Sequence, residues 1–107
     1  RDAQPFAFAG LWERWTDPAS GERLDSATII VTPANALVRP IHDRMPVILS
    51  PTDEARWLDP GLTRPEPLQA LLKPCDPEPM MAYPVSRRVN TPSQDDAGLI
   101  EPCQMMV

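Results

Sequence analysis

The residues best suited to chemistry lie in one short stretch, Pro40-Ile41-His42-Asp43-Arg44-Met45-Pro46. His42 is the single histidine of the chain. Imidazole is the one side chain whose unperturbed pKa lies near neutrality, so it can give and take protons at working pH. Prolines on both sides fix φ near −65° and stiffen the loop, which is how a scaffold holds a side chain in place. In an extended stretch, i, i+2 spacing puts His42 and Arg44 on one side, an acid/base beside a guanidinium that can clamp an anion. Asp43 then points away and braces the loop. The plainer reading is a histidine that packs or caps.

Other candidates carry a structural alternative that fits at least as well. Trp12 and Trp15 can stack on unpaired bases, but Trp12, in an apolar strand, is expected in the core. Trp57, beside Leu58 on a short helix, reads as a core lid. Arg87-Arg88 reads as solvated surface. Cys75 and Cys103 form no CxxC or Cys/His cluster, so no zinc site is expected, and a reduced pair fits a chain with no secretion signal. A Cys75–His42 dyad has no support in spacing, because Cys75 follows a helix stop instead of opening a helix. No metal or cofactor is expected.

Short elements must position this loop. Residues 5–15, PFAFAGLWERW, place apolar side chains on both period-2 faces, as in a strand covered on both sides. Gly10 within it marks a bulge or a close backbone approach. Asp17-Pro18-Ala19-Ser20-Gly21 is a turn cluster, and residues 26–32, SATIIVT, are a β-branched second strand, giving an antiparallel hairpin. Pro33-Ala34-Asn35 leads into one helical turn, Ala36-Leu37-Val38, closed by Pro40, and residues 45–49 form a short strand. Ser50 is an N-cap with Pro51 at the first helical position, and Ala55 and Leu58 share the buried face. A second helix over 65–73 presents Leu68, Leu71 and Leu72 at i, i+3, i+4, and Pro74 stops it. Residues 80–86 alternate as an edge strand, and Leu99-Ile100 can add another. The fold class is α+β, mostly antiparallel strands with short helices packed outside.

Composition bounds the function. One hundred and seven residues make one domain at most. Fifteen prolines exclude a long helical bundle, and no apolar run reaches the roughly 18 residues of a membrane span. A net charge of −5 disfavours nonspecific duplex binding without excluding a local basic site. The chain opens at Arg1 without an initiator Met and enters an apolar strand at once, so it reads as the interior of a longer polypeptide.

The order FAFAGLWERW, TIIVTPAN, IHDRMPVIL, RWLDP and YPVSRRVN resembles the SOS response-associated peptidase (SRAP) family from about Pro5 to Pro102, with IHDRMP the most specific word. The resemblance implies a compact α+β domain with a curved, barrel-like sheet. It also implies a cytoplasmic protein, nucleoid-associated during repair, that binds single-stranded DNA and crosslinks itself to abasic sites. A cysteine after the initiator Met forms a thiazolidine with the ring-opened sugar aldehyde, and autoproteolysis exposes that nucleophile. By the same resemblance His42 is the acid/base of sugar-ring opening and Schiff-base chemistry, Arg44 faces DNA phosphates, and Thr32 lines the site. Val31 replaces the first threonine of the family's T-T-x-A-N stretch, which weakens the hydroxyl assignment there.

The family's N-terminal cysteine, its active-site asparagine and the F-Y-E-W segment with the catalytic glutamate have no counterpart in this sequence, and Glu13 is not that glutamate. Residues 1–107 therefore read as the C-terminal portion of a single SRAP domain, inactive alone and partnered by the N-terminal half of the same domain. Neither Cys75 nor Cys103 offers the adjacent free α-amine that a thiazolidine needs. Two other readings stay open: a non-catalytic module binding single-stranded DNA or protein, and a His/Cys hydrolase using His42 with Cys75.

Overall fold

The computed structural model describes residues 4–103. Six short strands come first: β1 Ala7–Phe8, β2 Gly10–Thr16, β3 Arg23–Ile29, β4 Val31–Pro33, β5 Arg44–Pro46 and β6 Ile48–Leu49. Two short helices follow, α1 Pro51–Trp57 and α2 Pro65–Gln69, then 3₁₀ turns at Arg87–Asn90 and Ala97–Ile100. The strands pair only two by two and antiparallel, β1 with β6, β2 with β3 and β4 with β5. The α+β class with small antiparallel sheets holds, and among the described residues no sheet closes into a barrel.

The three ribbons meet at one point. Ala9, Ile30 and Val47 are the single residues at which the chain leaves one ribbon and enters the next. Their backbones close a ring: Ala9 N–H donates to the Val47 carbonyl (2.8 Å), Ile30 N–H to Ala9 (3.0 Å) and Val47 N–H to Ile30 (2.9 Å). Each residue gives one bond and accepts one, so all six buried backbone groups at the crossing are paired. Ala9 and Val47 are fully buried there. With Leu49 and Leu71 they form the core, against which Ile30, Trp57, Leu68 and Leu72 pack. Gly10 follows the crossing directly, and a Cβ on it would stand 3.0 Å from the Thr28 carbonyl oxygen. The close approach expected at Gly10 is present.

The helices cover this junction. Ser50 Oγ accepts the Asp53 N–H (3.2 Å), and Pro51 opens α1 as the sequence indicates. The buried face differs from expectation, since Ala55 is exposed and Leu58, at the C-cap, is 78% exposed. Trp57 makes the contact instead, its Nε1–H donating to the Gly10 carbonyl at 3.0 Å. Leu71 is buried with Leu68 and Leu72 beside it, although α2 itself ends at Gln69.

Two strand expectations fail beyond the helices. Residues 80–86 form no strand. Pro84 cannot donate to a ladder, and Tyr83 instead donates its hydroxyl to the Ile100 carbonyl (2.7 Å). Leu99-Ile100 lies in a 3₁₀ turn capped by Asp96, which accepts the Gly98 N–H (2.9 Å).

The expectation that Trp12 packs in the core also fails, as Trp12 is 70% exposed. Among the described residues the β2–β3 ribbon pairs with no other strand, and Leu11, Trp15, Leu24 and Ile29 on it are exposed. The chain exposes 9009 Å², against about 5,900 Å² for a compact monomer of its mass. Its radius of gyration is 17.8 Å, where about 13 Å is usual for this length. The excess, roughly 3,000 Å², includes large apolar side chains that a closed domain would bury.

Candidate acid/base loop

β4 and β5 form a hairpin whose connection, residues 34–43, carries the histidine. The register sets Thr32 opposite Met45 and Pro33 opposite Arg44. The Ala34 N–H donates to the Asp43 carbonyl (2.9 Å), which extends the ribbon toward the loop. Within the loop, Arg39 N–H donates to the Asn35 carbonyl (2.9 Å), while Ile41 and His42 N–H both donate to the Val38 carbonyl (2.8 and 2.9 Å). A turn therefore exists at 36–38 as expected, but it is not closed by Pro40 and its hydrogen bonds run on to His42. Pro40 sits inside it.

His42 lies two residues before β5 begins at Arg44, so its ring is not in strand register with Arg44. Instead the ring folds back onto the next residues. Its Nδ1 accepts the Arg44 N–H (3.0 Å) and lies 3.2 Å from the Arg44 carbonyl oxygen. Asp43 does not point away as expected, because its Oδ1 is 3.3 Å from the same Nδ1. Asp43 still braces the loop, through its main-chain carbonyl. The His42 side chain is 68% exposed.

A main-chain N–H can only donate, so with the Arg44 bond in place Nδ1 is the acceptor and Nε2 carries the hydrogen. When Nδ1 is protonated, the Arg44 carbonyl and the Asp43 carboxylate are acceptors within reach.

Arg44 is exposed and makes no ion pair among the described residues. Thr32 is 5% exposed. Neighbouring strand residues alternate faces, so Thr32 and Met45 share the covered face while Arg44 stands on the open one. The structure thus sets the His42 ring against the Arg44 main chain and puts Thr32 on the opposite, covered face. Asn35, not singled out by sequence reasoning, is the other buried polar side chain among the described residues. Its signal was an Asn three positions before Val38, the spacing of a cap.

The remaining candidates lie elsewhere. Neither cysteine is in a disulfide. Cys75 sits against Asn35 and Met80, with Sγ 3.3 Å from the Met80 sulfur, so the structure does not join it to His42. Burial raises its thiol pKa above the ordinary range, which disfavours the nucleophilic thiolate. Arg88 is not simply solvated: it pairs with the Asp96 carboxylate and its Nε donates to Gln94 (3.1 Å), clasping the C-terminal turns. Among the described residues no group of three or more His, Cys, Asp or Glu gathers as metal ligands do, and no helix is long and apolar enough to cross a membrane.

The family model described as SOS response associated peptidase (SRAP) matches residues 1–92. The chain is 51% identical over 96 residues to the abasic site processing protein YoqW of Bacillus subtilis, covering 90% of this chain and 42% of that one. It is 39% identical over 84 residues to the abasic site processing protein HMCES of Xenopus tropicalis, covering 78% and 24%. A crystal structure of a Bacteroides thetaiotaomicron protein superimposes with a TM-score of 0.82 at 34% identity, over 96% of this chain and 46% of the other. The chain spans less than half the length of these relatives. It belongs to the SRAP family.

Proposed function

We propose that this chain supplies the acid/base loop of an abasic-site crosslinking domain. In this reading His42 acts at the sugar, Arg44 holds a phosphate of single-stranded DNA, and Thr32, buried on the covered face of the β4–β5 ribbon, backs the site from behind. The observation that carries it is the exposed His42 ring, held through Nδ1 by the Arg44 main-chain N–H, with the exposed Arg44 side chain in no ion pair among the described residues. It occurs in a chain 51% identical to an abasic site processing protein.

The chemistry follows the family resemblance. A protonated His42 gives its Nε2 proton to the ring oxygen of the abasic sugar as the C1′–O4′ bond breaks, the anomeric hydroxyl gives its proton to water, and the ring opens to an aldehyde. An N-terminal cysteine then condenses through its amine and thiol, releasing one water and closing a thiazolidine. That cysteine, with the asparagine and glutamate of the family motif, comes from a complementary N-terminal segment. Residues 1–107 act as the C-terminal portion of one SRAP domain, and the exposed faces of β2–β3 are the surface this segment covers. The six strands then become part of a curved, barrel-like sheet. Peptidase activity is the autoproteolytic release of the cysteine, and the working location is the cytoplasm, at damaged nucleoid DNA.

The test joins this chain to the N-terminal segment of YoqW and incubates it with single-stranded DNA bearing one abasic site. A denaturation-resistant adduct is expected. Salt-sensitive binding that Arg44→Ala weakens, with no adduct at all, supports the non-catalytic module instead.

A further inference from the structure

We infer that Asn35 is the positioning residue of the acid/base loop, fixing His42 through its side-chain oxygen. This deepens the proposed function and rests on it. Asn35 is 6% exposed, and both ends of its amide are used. Oδ1 accepts the Val38 N–H at 3.0 Å, and Nδ2 donates to the Cys75 carbonyl at 3.1 Å, forty positions along the chain.

The bond to Val38 matters because of what Val38 does next. Its carbonyl accepts both Ile41 and His42 N–H, so two hydrogen bonds in series link the Asn35 oxygen to the His42 backbone. The Asn35 carbonyl also accepts the Arg39 N–H, and the Asn35 N–H approaches the Met45 sulfur at 3.3 Å. The side-chain amide therefore ties the first turn of the loop to the segment at Cys75, while the main chain of the same residue makes the contact to β5. The loop's outer residues 39–44 are all exposed, so packing does not fix them. Hydrogen bonding does.

An alanine at this position leaves the Val38 N–H and the Cys75 carbonyl without protein partners. The turn over 35–42 then loses its cap, and the His42 ring is free to leave Arg44. Misplacing a reacting group by about 1 Å can cost on the order of a hundredfold in rate. Serine keeps a cap oxygen of comparable strength but is too short to preserve the bond to Cys75, which separates the two roles of the amide.

The test uses the chain joined to the YoqW N-terminal segment, in wild-type, Asn35→Ala and Asn35→Ser forms. Two quantities are read: the His42 tautomer by long-range ¹H–¹⁵N NMR, and the rate of adduct formation with abasic single-stranded DNA. Wild type is expected to hold Nδ1 unprotonated. Asn35→Ala is expected to mix tautomers and crosslink at least tenfold more slowly, with DNA affinity within about twofold of wild type. Asn35→Ser is expected to keep the wild-type tautomer and a rate within about threefold. An Asn35→Ala chain with unchanged tautomer and rate overturns the inference. So does a folded Asn35→Ser chain whose ring mixes tautomers, which decides the matter even if Asn35→Ala fails to fold. Should wild type itself form no adduct, the crosslinking reading fails while the tautomer comparison still judges Asn35.

Discussion

Val47→Ala removes two methyl groups from the point where the three ribbons cross. The side chain is fully exposed to neither solvent nor any groove, at 0% accessibility, among Ala9, Leu49 and Leu71. Transfer of two buried carbons costs about 1.6 kcal/mol, and an incompletely relaxed void adds up to about 1 kcal/mol. The expected loss is therefore about 2 kcal/mol. Urea unfolding followed by tryptophan fluorescence reads it, since Trp57 packs against the same cluster. The midpoint should fall at nearly constant m, with a thermal midpoint lower by roughly 8–16 °C. The backbone ring at Ala9, Ile30 and Val47 stays intact in this variant, so the loss reports side-chain packing alone. A change below about 0.5 kcal/mol, the range of surface substitutions, would refute the junction as the core of the fold.

Trp57→Phe keeps most of the apolar ring but leaves the Gly10 carbonyl without its donor; a loss of about 1–2 kcal/mol is expected by the same unfolding assay. Gly10→Ala should destabilise, because the new Cβ meets the Thr28 carbonyl, a backbone atom held in the β2–β3 ladder, and thermal melting checks it. The raised thiol pKa of Cys75, caused first by burial, makes iodoacetamide at pH 8 label the exposed Cys103 ahead of it, as peptide mass spectrometry will show. The same shift gives a sign for pH. The folded chain keeps this proton longer than the unfolded one, so its contribution is intact below about pH 8.5 and is lost as pH rises through the folded value. Cys75→Ala should flatten that alkaline decline in urea midpoints.

Local signals in the sequence carried local structure. Proline and glycine at 18 and 21 gave the β2–β3 hairpin, and Ser50-Pro51 gave the start of α1, because turn and cap chemistry act within four residues. The single apolar strand over 5–15 was only half right. Ala9 interrupts it to change partners, and a partner change is set by residues 20 to 40 positions away. Trp12 was misjudged for the same reason, since apolar residues on both faces show that cover is wanted but not where it comes from. The alternation at 80–86 failed because Met81, Tyr83 and Val85 had no neighbouring strand edge to join. At the loop, the residue types of His42 and Arg44 were legible, whereas the folded-back ring was not. That geometry comes from main-chain donors at Arg44 and from a buried amide at Asn35, neither of which periodicity records.

The most direct measurement of the central claim is the crosslinking rate of His42→Gln against wild type, each joined to the YoqW N-terminal segment, on abasic single-stranded DNA. Loss of a positioned acid/base is expected to slow adduct formation by about 10²–10⁴-fold while binding of the same DNA persists. Equal rates for the two proteins would show that the imidazole takes no part, and the account of this loop would fall.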